Sequence, residues 1–215
     1  QEKRQAEKGT LCASGLAGAL RTVRFWLIAG GFASCAYFFP ALIVHLFPHA
    51  TDQGFTPTMG AVLYALWGLF LVLGNAASGV SDRIGRVTTY LLGTLISLMA
   101  LLLFAYFVRG SPPLSFFAAV ALAGFGYGLL RPTVSALLVD NFQGKGLGAI
   151  GGAAMTIFSL SGVFGPYLTG ALFDATGSYR AGFLLVFAVV AAGGGCIIAL
   201  GGIMRMEGKI EAGSR

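Results

Sequence analysis

Residues 87–108 read VTTYLLGTLISLMALLLFAYFV, a run of 22 residues without one charged side chain. An α-helix needs about 20 apolar residues to cross the hydrocarbon core of a bilayer. The run is long and continuous, and it does not alternate between apolar and polar residues as a membrane strand would. We therefore expect a transmembrane helix here.

Five more runs of this kind occur along the chain, at 25–47, 58–80, 114–139, 147–173 and 181–204. Five of the six runs contain no Asp, Glu, Lys or Arg, and the run at 114–139 contains only Arg131. Only 10% of the whole chain is charged and 56% is hydrophobic, whereas soluble domains carry roughly a quarter of charged residues. The sequence predicts an all-α polytopic membrane protein, a bundle of six transmembrane helices.

The basic residues lie at the ends of the apolar runs and are distributed unevenly. Side one is the membrane side that holds the amino terminus, and side two is the opposite side. Side one receives eleven basic residues, against two on side two, Arg109 and Arg180. Cytoplasmic loops are enriched in Lys and Arg, so we expect side one, with both termini, in the cytoplasm. The net charge of +6 is thus explained by topology, and no nucleic-acid partner is expected.

The hydropathy pattern also divides the chain into three parts. These are a cytoplasmic linker at 1–24, the six-helix bundle at 25–204 and a cytoplasmic tail at 205–215. Within the linker, Leu16, Leu20 and Val23 recur at i, i+4 and i+7. This spacing is typical of an amphipathic helix on the membrane surface, and the alternative is an extension of the first span.

A short motif, Asp-x-x-Gly, occurs at two matching places. Asp82 and Gly85 follow the second run, and Asp174 and Gly177 follow the fifth. The two copies are three spans apart and thus lie on opposite sides of the membrane. Aspartate and glycine are both common in turns, but their recurrence at matching places indicates two three-helix units in inverted orientation.

The loop at 79–86 reads GVSDRIGR. It resembles the signature loop of the major facilitator superfamily, roughly G-x-x-x-D-R-x-G-R-R. The matching positions are Asp82, Arg83, Gly85 and Arg86. The sequence departs from the pattern at Ser78, which replaces the first glycine, and at Val87, which replaces the last basic residue. Such departures are usual in the second copy of this loop, so the resemblance implies spans seven to twelve of that fold.

The resemblance implies a mechanism as well. In that family the loop is thought to latch two helical bundles together on the cytoplasmic side, so Asp82 and Arg86 would hold the outward-open state. The alternative is a tight turn whose basic residues fix topology, and both can hold. The protein is then a secondary transporter of the plasma or bacterial inner membrane, a symporter or antiporter. Its partners would be a small-molecule substrate, the lipid bilayer and an N-terminal six-helix half, upstream or in another chain.

Two other stretches agree with this resemblance. The sequence GVFGP at 162–166 is similar to the Gly-Pro-rich fifth and eleventh helices of the superfamily. The sequence DATGSY at 174–179, followed by Ala181 and Phe183, is similar to the outer loop of monocarboxylate-type and oxalate/formate-type members.

Arg131 is the one full charge inside a span. Intramembrane ionisable residues are costly and usually face the bundle interior or water. A guanidinium can bind a carboxylate through two hydrogen bonds, so Arg131 indicates an organic anion as substrate. The alternatives are that Arg131 extends to the cytoplasmic interface or pairs with Asp140. Pro132, which follows it, is expected to weaken the helix.

By resemblance, the first and fourth spans face the central pathway of the transporter. The substrate-binding candidates on these spans are Tyr37, Phe38, Tyr127 and Arg131, with Phe39 beside them. Weaker candidates are Tyr64, Trp67 and Asn75 on the second span and Ser159 on the fifth.

Several function classes are disfavoured by what the sequence lacks. It contains no Ser-His-Asp order, no HExxH and no Walker-type loop, so we expect neither an enzyme nor a bound cofactor or metal. Two alternatives to a transporter stay open at this point. One is a channel or pore built from oligomerised six-helix units, and the other is a membrane scaffold that transports nothing.

Overall fold

The computed structural model describes residues 15–107, 111–144 and 146–213. Within these ranges a 3-10 turn at Ser78–Val80 follows the third helix, and all other regular structure is α-helical. The helices are α1 (Gly15–Leu20), α2 (Val23–Asp52), α3 (Pro57–Ala77), α4 (Ser81–Ile84), α5 (Arg86–Tyr106), α6 (Pro113–Asn141), α7 (Leu147–Thr176) and α8 (Tyr179–Gly213).

Six of these helices are long and apolar enough to cross a membrane. They are α2, α3 with its continuation to Ile84, and α5 to α8, and each contains one of the six predicted runs. The predicted fold class is therefore confirmed. Several helices extend beyond the apolar runs, since α2 continues to Asp52 and α8 to Gly213.

The amino-terminal region is described only from residue 15 onward, and the predicted linker segment at 1–14 lies outside the described residues. Helix α1 ends at Leu20, two residues before α2 begins, so it is separate from the first span. Ala19 is fully buried, whereas Val23 is 64% exposed. The expected apolar face of Leu16, Leu20 and Val23 is thus interrupted by the turn between the two helices.

The sequence encodes the starts of two spans through threonine caps. The side chain of Thr22 accepts a hydrogen bond from the N–H of Phe25, and that of Thr56 accepts one from the N–H of Met59. A cap of this kind satisfies a backbone donor that the helix itself leaves unpaired. Pro57 occupies the first turn of α3, where its missing N–H costs nothing.

The spans form two three-helix units with the same pattern of contacts. The first unit contains α2, α3 and α5, and the second contains α6, α7 and α8. Helix α2 packs on α7 and α8, and α6 packs on α3 and α5. The first helices run antiparallel, because Phe25 at the start of α2 contacts Phe142, while His49 near its end contacts Phe116 at the start of α6. The inverted repeat predicted from Asp-x-x-Gly is therefore present.

Glycines allow α6 to approach both neighbouring helices closely. A Cβ added at Gly124 would lie 2.6 Å from the carbonyl oxygen of Trp67, and Gly128 also faces the backbone of α3. Gly126 points toward α5, where a Cβ would lie 3.0 Å from the N–H nitrogen of Ser97. Residues two positions apart point in directions about 200° apart around a helix. Glycines at alternate positions therefore face two different neighbouring helices. Small residues are the usual means of close helix packing in lipid.

Burial differs strongly among the spans and shows which helices are central. In the apolar windows of α2 and α6, 61% and 56% of the residues are buried, against 22% for α3 and 11% for α7. The exposed surface of α7 is rich in large apolar side chains, among them Leu160, Val163, Phe164 and Tyr167. A surface of this kind needs lipid or another protein against it.

Candidate functional site

Arg131 lies inside the bundle, ten residues before α6 ends at Asn141, or about 15 Å along the axis. Its Nη1 donates a hydrogen bond to Oγ of Ser135 at 2.9 Å. Its Nη2 lies 3.9 Å from Sδ of Met155 on α7, and the guanidinium carbon lies 4.7 Å from the ring centroid of Phe158. The cation is thus held by neutral groups at the junction of α6 and α7.

The guanidinium of Arg131 is not paired with a carboxylate of the described residues. No ion pair between residues of the described ranges includes Arg131, and Asp140 instead accepts a hydrogen bond from Nε of Arg86 at 3.2 Å. The head group contacts Ser135, one turn nearer side one on α6, as well as side chains of α7. A lone cation within a span is costly unless water or an anion meets it. Among the described residues the guanidinium is therefore left with neutral contacts.

An aromatic cluster lies next to Arg131 along α6. Its four members come from α2, α3 and α6, and they are Phe38, Phe39, Trp67 and Tyr127. Phe39 stacks on Tyr127 at 5.1 Å between ring centroids, and Phe38 meets the same ring edge-on at 5.9 Å. Tyr127 precedes Arg131 by one helical turn, so both lie on one face of α6. The structure thus brings Phe38, Tyr127 and Arg131 together.

Tyr37, the fourth predicted substrate residue, lies apart from this cluster. It is 6% exposed, and none of the ring contacts in the described part of the chain includes it. Its hydroxyl is buried without a hydrogen-bond partner among the described residues, as is Nε1 of Trp67. Trp67, one of the weaker candidates from sequence, instead packs against Phe38 and Tyr127.

The loop on side one is organised around Arg86. Its guanidinium forms an ion pair with Asp82 at 2.6 Å and a second with Asp140 at 3.2 Å, and it donates a hydrogen bond to Oγ of Ser81. Asp140 belongs to the last turn of α6, 54 residues along the chain. Arg86 therefore ties the start of α5 to the end of α6.

The other charged residues of the loop point away from the bundle. The Asp82 side chain is 67% exposed even in its ion pair, and Arg83 is exposed as well. Gly85 ends α4 at φ +95° and ψ 142°, a conformation that is essentially confined to glycine. The turn therefore presents Asp82 and Arg83 outward while Arg86 stays within the bundle. The pairing of Arg86 with Asp140 had no local signal in the sequence.

These features together define a class of protein. Six spans in an inverted repeat, with a charged turn on one side and a lone arginine within a span, are typical of a polytopic membrane protein built from inverted repeats. The model of the Major Facilitator Superfamily matches residues 26–212, and the chain belongs to that family. The resemblance found in the loop at 79–86 is thereby confirmed.

Individual relatives show which members of the superfamily this chain is similar to. The chain is 32% identical over 166 residues to monocarboxylate transporter 13 of Bos taurus, which covers 76% of this chain and 38% of that protein. It is 31% identical over 175 residues to monocarboxylate transporter 11 of Mus musculus, which covers 78% of this chain and 37% of that protein. The chain thus spans less than two-fifths of the length of these curated relatives. The resemblance to monocarboxylate-type members is also confirmed.

Proposed function

We propose that this chain is the carboxy-terminal half of a secondary transporter that moves a small organic anion, a monocarboxylate in the simplest case. The observation that carries the proposal is Arg131, a cation within a span. Its contacts are with neutral groups, and no ion pair joins it to a carboxylate of the described residues. A guanidinium binds a carboxylate through two parallel hydrogen bonds. The names of the two relatives above agree with a substrate of this charge.

The substrate site would combine this charge with an apolar wall. Arg131 would bind the carboxylate, and the partly exposed ring of Phe39 would contact the hydrocarbon part of the substrate. The buried rings of Phe38, Trp67 and Tyr127 would support Phe39 from behind. Pro132 has no N–H to donate to the carbonyl group four residues earlier, which weakens α6 next to the charge. This is a suitable place for α6 to bend as the site opens to either side.

The rest of the pathway would come from the N-terminal six-helix half. The exposed apolar surfaces of α3 and α7 are the natural contact for such a partner. The two halves would then rock about the site at Arg131, which is alternating access. The outward-facing Asp82 and Arg83 would meet the partner half on side one, with Arg86 holding the loop in place. In this proposal the protein lies in the plasma membrane, and side one faces the cytoplasm.

The test is uptake of a labelled monocarboxylate by liposomes that contain the full-length protein. Arg131→Gln keeps polar character but removes the charge, so we expect uptake to fall by about tenfold or more, the effect of losing a charged hydrogen bond. Arg131→Lys should retain part of the activity, since a lysine keeps the charge without the bidentate geometry. The matched control is Arg205→Gln at the exposed end of α8.

Equal uptake by the parent and by Arg131→Gln would remove the anion site from the proposal. The same liposomes separate the transporter from the two alternatives. A transporter gives saturable uptake that substrate inside the vesicles accelerates, whereas a pore conducts without saturating and a scaffold gives no uptake.

A further inference from the structure

A cavity of about 670 Å³ opens on side two, far from the substrate site. It lies between the end of α2, the end of α5 and the turn that joins α7 to α8. The lining residues that matter are His49, Asp52, Phe104, Phe107, Tyr179 and Arg180. Its volume falls within the range of cavities that bind small organic ligands.

His49 forms the buried wall of this cavity. The side chain is only 4% exposed and is surrounded by aromatic rings at 5.1–6.4 Å between centroids, those of Phe104, Phe116, Tyr179 and Phe183. Neither ring nitrogen has a hydrogen-bond partner among the described residues. A buried polar group without a partner is costly. Both nitrogens are closed off from solvent, so a molecule in the cavity can supply the missing partner only when the His49 ring turns toward it.

Two opposite charges face the same cavity. Asp52 follows His49 by three residues, so both lie on one face of α2. Arg180 comes from the first turn of α8, where its guanidinium carbon lies 4.6 Å from the ring centroid of Tyr106. No ion pair joins Asp52 to Arg180 in the described ranges. Among the described lining residues, the cavity therefore offers one cation and one carboxylate, with the imidazole of His49 buried in its wall.

We propose that this cavity is a second ligand site, for a small organic acid with a hydroxyl or ammonium group and an apolar body. Arg180 binds the carboxylate of the ligand, and the His49 ring turns toward the cavity to donate an N–H to it. Asp52 accepts a hydrogen bond from the hydroxyl or ammonium group. Phe104 and Phe107 contact the apolar body.

The site is separate from Arg131 and stands without the transport proposal. His49 contacts Phe116, and Arg131 lies 15 residues further along α6, a distance of about 22 Å by helix rise. One ligand of this size cannot reach both. Removing the central cation therefore leaves the second site intact, and the two proposals can fail independently.

The experiment is calorimetric titration of the purified full-length protein in detergent, in an Arg131→Gln background that lacks the central cation. The probes are 3-phenyllactate, with a hydroxyl, phenylalanine, with an ammonium group, and 3-phenylpropionate, with neither. We expect binding of 3-phenyllactate or phenylalanine, and binding of 3-phenylpropionate that is weaker by about tenfold, because it cannot donate to Asp52. Whichever of the first two binds more tightly identifies the donor group.

Variants assign that binding to the cavity. Arg180→Gln should weaken the affinity by about tenfold or more, and Asp52→Ala should abolish the preference over 3-phenylpropionate. His49→Phe should weaken binding, whereas His49→Gln, which keeps an N–H donor, should retain most of it. Arg205→Gln, at the other end of α8, serves as the control. Both Arg180→Gln and Asp52→Ala alter exposed side chains and remain informative where His49→Phe does not fold.

Two results would overturn the proposal. One is the absence of binding by both 3-phenyllactate and phenylalanine in the Arg131→Gln protein. The other is binding that Arg180→Gln and Asp52→Ala leave unchanged, which would place the ligand elsewhere on the molecule.

Discussion

The turns at Asp82–Gly85 and Asp174–Gly177 share a backbone plan but differ in their surroundings. Both glycines have positive φ, +95° at Gly85 and +66° at Gly177, and each donates its N–H to the carbonyl group four residues earlier. On side one, Arg86 follows the glycine and binds two carboxylates. On side two the next residue is Ser178, whose Oγ accepts the N–H of Arg180.

This difference separates what the inverted repeat requires from what has been added to it. The turn ends one helix and reverses the chain in both units, so it belongs to the fold. Ser178 does no more than cap the amino end of α8, which is a common role for serine. Arg86, in contrast, connects two spans through Asp82 and Asp140. The ion pairs of Arg86 on side one are therefore an addition to a turn that both units share. A latch between helices would have to be an addition of this kind.

The largest expected effect is on uptake, and it should come from replacing Asp82 but not from replacing Asp174. The half-exposed pair of Asp82 with Arg86 is worth at most about 1 kcal/mol to the bundle itself. If Asp82 also meets the partner half, Asp82→Ala should lower uptake by about tenfold or more, with little change in thermal stability. Asp174→Ala should leave uptake within about twofold. Initial uptake rates, normalised to the amount of protein in the liposomes, give the comparison.

Normal uptake by Asp82→Ala would contradict the latch and leave the loop as a topological anchor. A large loss of stability in the same variant would instead mean that Asp82 acts within this half. Arg83→Gln is a useful companion, because Arg83 is exposed beside Asp82.

The two turn glycines also differ in backbone conformation. A Cβ at Gly85 or Gly177 meets no atom closer than 3.9 Å, so any cost of Gly→Ala comes from the backbone. Gly85 has ψ 142°, and an alanine there should cost about 2–3 kcal/mol. Gly177 is left-handed at ψ 15°, and an alanine there should cost about 1 kcal/mol. Unfolding in mixed micelles measures the difference.

Asparagine provides the control for this pair, because it tolerates the left-handed conformation. Gly177→Asn should therefore recover stability relative to Gly177→Ala, whereas Gly85→Asn should not recover it relative to Gly85→Ala. Equal costs at the two glycines would show that the two turns are not distinct in backbone energy.

The two turns also show how far the sequence determines the structure. The spans were predictable because a bilayer requires long apolar helices that satisfy their own backbone groups. The turns were predictable because Asp-x-x-Gly is a local signal. The pairing of Arg86 with Asp140 joins residues 54 positions apart, and nothing local specifies it. The cavity at His49 was not predictable for the same reason, since the neighbours of His49 come from three other helices.

The placement of Tyr37 shows a further limit. Tyr37, Phe38 and Phe39 are consecutive, so their side chains point in directions about 100° apart around α2. A helix that is apolar on all sides carries no amphipathic pattern to fix its rotation. The sequence could therefore name the three aromatic residues, but it could not say that Tyr37 alone lies outside the cluster.

The smallest effect is the coupling between Arg86 and Asp140, which also tests whether the proposed partner half covers this pair. Their side chains are 28% and 45% exposed in this bundle, and exposed pairs contribute about 0.2–1 kcal/mol. A double-mutant cycle with Arg86→Gln and Asp140→Asn, measured as unfolding free energy in mixed micelles, isolates this term. The same cycle with Asp174→Asn in place of Asp140→Asn should give no coupling. A coupling above about 2 kcal/mol in the full-length protein would contradict an exposed pair and mean that the partner half covers it, because burial removes the water that screens the two charges.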